Sequence, residues 1–100
     1  MTVYAIAQFE IHNREAYDRY VSKFADVFSK FKGTLLVSDE HPTVLEGEWR
    51  KDKLVIMSFP DQAAFSDWAD SPEYQKISKD RVAGSKGVVL LAEGFNPFIK

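Results

Sequence analysis

Val88-Val89-Leu90-Leu91-Ala92 is an unbroken apolar run near the end of the chain. Side chains on a strand point to opposite faces in turn, so a strand without polar alternation is apolar on both faces and needs two covers. Three further stretches read the same way: Val3-Tyr4-Ala5-Ile6-Ala7, Leu35-Leu36-Val37 and Leu54-Val55-Ile56-Met57. Between them lie two helical regions, enough to cover one side of a sheet. The other side is then expected to be covered by a second copy of the chain.

Composition sets the outer bounds. The chain has 100 residues, the length of a single domain spanning 1–100, with 45% hydrophobic and 28% charged residues, as in an ordinary globular protein. A net charge of −2, from 13 basic and 15 acidic residues without a basic stripe, argues against a nucleic-acid partner. The chain contains no cysteine, which removes disulfides, thiolate chemistry and cysteine-ligated metals. Met1 to Glu10 carries no basic leader and reads as a strand, not a signal peptide, and no apolar stretch reaches membrane-spanning length. Thr2 in place of Gly excludes myristoylation. A cytoplasmic protein with no membrane partner is the expectation.

Working outward, Asn13 reads as a helix N-cap and Glu15 as a first-turn acid. Tyr17, Tyr20, Val21, Phe24, Phe28 and Phe31 then form one helical stripe, with Gly33 expected as a left-handed C-terminal cap. A second strand from Thr34 to Ser38 ends in the turn Asp39-Glu40-His41-Pro42. Extended structure is expected to resume from Thr43 to Trp49, followed by a charged turn, Arg50-Lys51-Asp52-Lys53, and a strand from Leu54 to Phe59. Asp61 caps a helix bearing Phe65 and Trp68, and Ser71-Pro72 opens a short helix whose inner face carries Tyr74, Ile77 and Arg81. Gly84 and Gly87 release the chain into the last strand, Val88 to Glu93, and Phe95 to Lys100 form a tail expected to dock.

The order is β-α-β-β-α-β: an α+β fold, ferredoxin-like, with a four-stranded antiparallel sheet. Right-handed crossovers place both helical regions on one side of it. The uncovered side would be an aggregation hazard in isolation, and a twofold homodimer packed sheet against sheet removes it.

Specific motifs support this order. Val44-Leu45-Glu46-Gly47-Glu48-Trp49, then Phe59-Pro60, then Trp68-Ala69-Asp70-Ser71-Pro72-Glu73-Tyr74-Gln75, then Arg81 and Glu93-Gly94 resemble the domain-of-unknown-function 1330 family over about Val3 to Gly94. The resemblance implies a dimeric α+β barrel, in which two ferredoxin-like sheets form one barrel. It implies no reaction, since that family has none assigned. The wider superfamily includes cofactor-free monooxygenases, isomerases, haem-handling enzymes and proteins without known activity. Lys32-Gly33 stands where the family often has Gly-Gly, and Ser38-Asp39-Glu40 where it often has arginine followed by glycine. A basic group near that sheet end is missing, so no anion-binding role is carried to that position.

Candidate site residues follow from side-chain chemistry. Arg81 shares the inner stripe with Tyr74 and Ile77, and a buried guanidinium needs a partner. Glu46 is the candidate partner, as a ligand-facing pair or, the weightier alternative, a structural ion pair. Tyr4, Tyr20, Trp68 and Tyr74, with Tyr17 and Trp49, combine apolar bodies with polar tips suited to an organic ligand, although helical spacing also suits plain core packing. Ser71 reads as a cap, not a nucleophile. His12 and His41 fall in turns and bring no metal set with them, although His41 beside Asp39 and Glu40 retains a minor reading as a base. No phosphate loop or nucleophile elbow occurs, and no cofactor is expected.

The expectation is a small-molecule binder whose ligand, apolar or aromatic, lies between sheet and helices. A cofactor-independent oxygenase or isomerase acting on a small organic acid or phenol is one alternative. An assembly module with a solid core is the other, and a cavity of a few hundred Å³ separates the two classes.

Overall fold

In the computed structural model, residues 1–96 are described. The elements run β1 (Val3–Ile11), α1 (Arg14–Phe28), β2 (Thr34–Asp39), β3 (Lys53–Phe59), α2 (Gln62–Ala69), α3 (Pro72–Gly84) and β4 (Ser85–Glu93). The strands form a four-stranded sheet in the order β2-β3-β1-β4, every neighbouring pair antiparallel. This is the ferredoxin-like α+β arrangement, with the helices on one side.

The chain's punctuation explains the helices. The Asn13 carboxamide accepts from the Ala16 amide at 3.1 Å, Asp61 accepts from Ala64 at 2.8 Å, and Ser71 Oγ accepts from Tyr74 at 3.1 Å. Each side chain satisfies one amide that the first helical turn leaves free. Pro72 occupies the start of α3, where its missing amide hydrogen is not needed.

Several boundaries differ from the sequence reading. Helix α1 closes at Ser29 in right-handed geometry, not at Gly33, whose φ is not positive. Gly33 is needed instead for close approach: a Cβ there would lie 2.4 Å from the Phe28 ring and 2.6 Å from that of Phe59. Thr43 to Trp49 forms no strand and is largely exposed. Trp49 ties it to β1, its indole N–H donating to Gln8 Oε1 at 3.1 Å. Strand β3 begins one residue before Leu54, so Lys53 belongs to the sheet. Strand β4 begins at Ser85, and α3 is a full 13-residue helix. Of the expected C-terminal tail, Phe95 is 92% exposed, and Pro97 to Lys100 lie outside the described residues.

Register assigns the faces. Val3, Ala5, Ala7 and Phe9 point to the helices and are buried, as are Met57 and Phe59 of β3. They meet Tyr17, Tyr20, Phe28, Trp68, Tyr74 and Ile77 in a single core. On the far side Val37, Ile56, Ile6 and Leu90 stand side by side across all the strands. That side is apolar and carries no helical layer. The helices also stop short of β4, where Val88, Val89, Leu90 and Leu91 remain between 37% and 52% exposed, so this strand is open on both faces.

Candidate functional site

The sheet makes room beneath its helices. Ser38, Val55, Ala7 and Val89 are register neighbours across the sheet, and all of them are small. The opposing helices present long aromatic side chains at helical spacing: Tyr17, Tyr20 and Phe24 from α1, Trp68 from α2 and Tyr74 from α3. Small residues below and ring systems above leave a cavity of about 470 Å³, lined by all of these and by Lys53 and Arg81. This volume is in the range of small-ligand sites.

The aromatic end is held rigidly. Ser71 Oγ donates to the Trp68 carbonyl at 2.8 Å while accepting from the Tyr74 amide, so one hydroxyl joins α2 to α3. The Trp68 and Tyr74 rings then lie 4.2 Å apart, and Phe28 and Phe59 buttress the indole at 5.4 and 5.6 Å. The Trp68 indole N–H is buried without an acceptor. Above the cavity the Tyr20 and Tyr74 hydroxyls share a hydrogen bond of 3.1 Å, pinning α1 to α3. Burial pushes the Tyr20 phenol well above its ordinary range, and the neighbouring Tyr74 adds to the effect. Burial likewise pushes Tyr17 up to about 12, with Glu40 contributing. Both phenols therefore stay protonated at neutral pH and can donate.

The other end carries cations. Lys53 is only 6% exposed, and its ammonium lies 4.9 Å from the centre of the Tyr17 ring. Arg81 comes from α3, with its guanidinium 5.3 Å from the centre of the Phe9 ring and its Nε buried without an acceptor. Phe9 and Tyr17 are themselves 6.2 Å apart, so the two cations sit against adjoining rings of the cavity wall. The ion pairs of the described residues use Arg14, Arg19, Arg50, Lys51 and Lys86, and neither Lys53 nor Arg81 joins one. Burial lowers the Lys53 pKa from its ordinary value, opposed by the field of Glu40. Glu40 is itself gripped by Arg14 at 2.6 and 2.8 Å, which lowers its own pKa.

Five of the candidate site residues singled out in the sequence, Tyr17, Tyr20, Trp68, Tyr74 and Arg81, line this cavity together. Tyr4 does not. It pairs with Ser58 and Ala92 and, by strand alternation, points to the far side of the sheet. Glu46 does not either: it is exposed in the connection between β2 and β3, and makes no ion pair with Arg81 within the subunit. An isolated turn cannot bring a carboxylate under a helix layer packed on the opposite face. Trp49 binds Gln8 and lies outside the cavity. Lys53 is the residue the sequence reading missed, since four consecutive polar residues looked like a solvated turn. Its signal was the alternation Lys53, Val55, Met57, Phe59, which places the lysine on the core face once the strand is started one residue earlier.

His12 and His41 are both exposed, and share a shallow polar surface pocket with Arg14, Glu40, Lys51 and Asp52. Among the described residues, no group of three or more His, Cys, Asp or Glu is arranged to hold a metal ion. No helix among them is long and apolar enough to cross a membrane.

The fold and its helix–sheet cavity place the chain among ferredoxin-like α+β proteins whose solved relatives include dimers. The chain belongs to the family described as domain of unknown function (DUF1330), whose model matches residues 2–95. Among solved structures, it is similar to a protein of unknown function from Rhodopseudomonas palustris, with a TM-score of 0.79 at 20% identity over 96% of this chain and 84% of that one. A dimeric ferredoxin-like protein of unknown function from Jannaschia sp. CCS1 superposes with a TM-score of 0.78 at 18% identity, covering 94% of this chain and all (100%) of that one. SnoaB, a cofactor-independent oxygenase from Streptomyces nogalater, superposes with a TM-score of 0.67 at 16% identity over 99% and 98% of the two chains. At these identities the likeness is one of fold. No curated protein matches the chain significantly.

Proposed function

We propose that this protein is a homodimer, paired through the bare sides of its sheets, and that each subunit binds a small, largely aromatic or apolar molecule between sheet and helices. The observation that carries the binding role is the cavity of about 470 Å³, with convergent polar groups on aromatic walls. An assembly module would fill that space with side chains. The sheet contributes small residues where larger ones would close it. The pairing is supported by the apolar row Val37, Ile56, Ile6 and Leu90, and by the dimeric relative from Jannaschia.

The test is calorimetric titration with small aromatic compounds, run beside Ala7→Leu, which adds bulk to the cavity floor. Binding is expected in the parent and is expected to fall at least about tenfold in the variant. Saturable binding that ignores this substitution, or no binding of any member of the series, would reject the cavity as the site.

One observation favours a catalytic extension. Protonated phenols and unpaired cations in a cavity walled by rings are suited to steadying an oxyanion or enolate. A bound phenol that consumes oxygen or isomerises in the parent, but not in Ala7→Leu, would make the protein an enzyme. A bound compound recovered unchanged would make it a carrier or sensor.

A further inference from the structure

We infer that the ligand of this cavity is an amphipathic organic anion, an aryl carboxylate whose two oxygens are received by Lys53 and Arg81 while its ring lies against Trp68 and Tyr74. This rests on the reading of the cavity as a ligand site and goes beyond it in assigning charge and orientation.

A charge withdrawn from water is costly unless something compensates it. Lys53 is 94% shielded, the complement of its 6% exposure, and Arg81 has a buried Nε with nothing to receive its proton. The faces of Tyr17 and Phe9 partly compensate them, at 4.9 and 5.3 Å. The acids whose field reaches Lys53, Glu40 and Asp18, are both engaged by Arg14, at 2.6 and 3.1 Å. Two cations therefore line one cavity, against adjoining rings, and neither is in an ion pair among the described residues. Of the residues lining the cavity, Asp70 is the acidic one, and it sits exposed where α2 ends.

A carboxylate suits such a pair for a chemical reason. Its two oxygens can each take a charge-assisted hydrogen bond, one from the ammonium and one from the guanidinium. A bare inorganic anion would leave the remaining aromatic wall unfilled. A neutral aromatic would leave both cations unpaired. The floor of small residues between the two ends sets room for one or two rings.

The experiment compares naphthoate with naphthamide and naphthylmethylamine, compounds of one shape and different charge, by calorimetry on the intact protein. The carboxylate is expected to bind at least about tenfold more tightly than the amide, and the amine more weakly than both. In Lys53→Met and Arg81→Leu, each checked for a cooperative melt, carboxylate affinity is expected to drop to the level of the amide while amide affinity holds. Lys53→Arg is expected to restore part of the preference. Equal binding of carboxylate and amide in the parent protein would overturn the anion assignment and leave the cavity reading standing. Failure of all three compounds, and of unsubstituted naphthalene, would remove the cavity reading and this inference with it. Should the variants not fold, the three-compound comparison on the parent protein decides alone.

Discussion

Lys53 carries a burial cost that no ion pair among the described residues offsets. It is held out of solvent at the first position of β3, against the Tyr17 ring face, and reaches Glu40 through its field but in no ion pair. In the ligand-free protein, Lys53→Met is therefore expected to raise stability by about 1 kcal/mol, the relief of an unpaired buried charge less the lost ring contact. The pH dependence has a definite sign. The folded-state pKa of Lys53 lies below its ordinary value of 10.5. Below that lowered value both states carry the proton and the burial cost is felt in full. As pH rises through it, the folded protein sheds the proton while the unfolded chain keeps it up to about 10.5, so stability rises across that window. Tyr17 and Tyr20 act in the opposite sense above pH 10, because their raised pKa values leave the unfolded chain to ionise first. The stability difference between parent and Lys53→Met removes their contribution. Urea melts from pH 7 to 10 are expected to show the advantage of the variant shrinking. An advantage that stays constant would mean the lysine is not desolvated.

At the scale of elements, the site depends on three helices that are weak alone and fixed by a few contacts. The Tyr20–Tyr74 hydroxyl pair joins α1 to α3, and the Ser71 hydroxyl joins α2 to α3. Tyr74→Phe keeps the ring against Trp68 but leaves the Tyr20 hydroxyl unpartnered in the core. It is expected to cost about 1 kcal/mol, read as a lower denaturant midpoint with unchanged slope. The helix starts were legible because capping is local: Asn13, Asp61 and Ser71 each reach an amide three residues on. The end of α1 was not. Gly33 looks like a cap in sequence but is crowded by the rings of Phe28 and Phe59, and the second of these comes from β3, far along the chain. Thr43 to Trp49 has the composition of a strand, yet it pairs with no strand of the described sheet. A strand exists only where its hydrogen bonds find a partner.

For the molecule as a whole, the sheet's two sides are proposed to have different roles, and the register distinguishes the residues on each. Val55 and Val89 pair with Ala7 and face the helices, whereas Leu90 and Ile56 pair with Ile6 and face away. Leu90→Asp is expected to give a folded monomer by light scattering, with near-parental circular dichroism, because it charges the proposed subunit interface. Val55→Asp is expected to destabilise the fold by about 3 kcal/mol or more, because it places an unpaired carboxylate at the cavity floor. If Leu90→Asp remains dimeric, the subunits do not meet through this face.

Local and periodic information sufficed for the order of elements, the faces of the long helix, the helix N-caps and the excess of apolar surface, because these depend on residues close together in the chain. The family likeness was carried by the same short motifs. What the tertiary structure alone decided was which side chains share the cavity. Arg81 and Lys53 are brought to its wall through helix packing and register, while Tyr4 is turned to the opposite face and Glu46 is left in solvent. Periodicity says that a side chain points inward. Only the packing of distant elements says what it finds there.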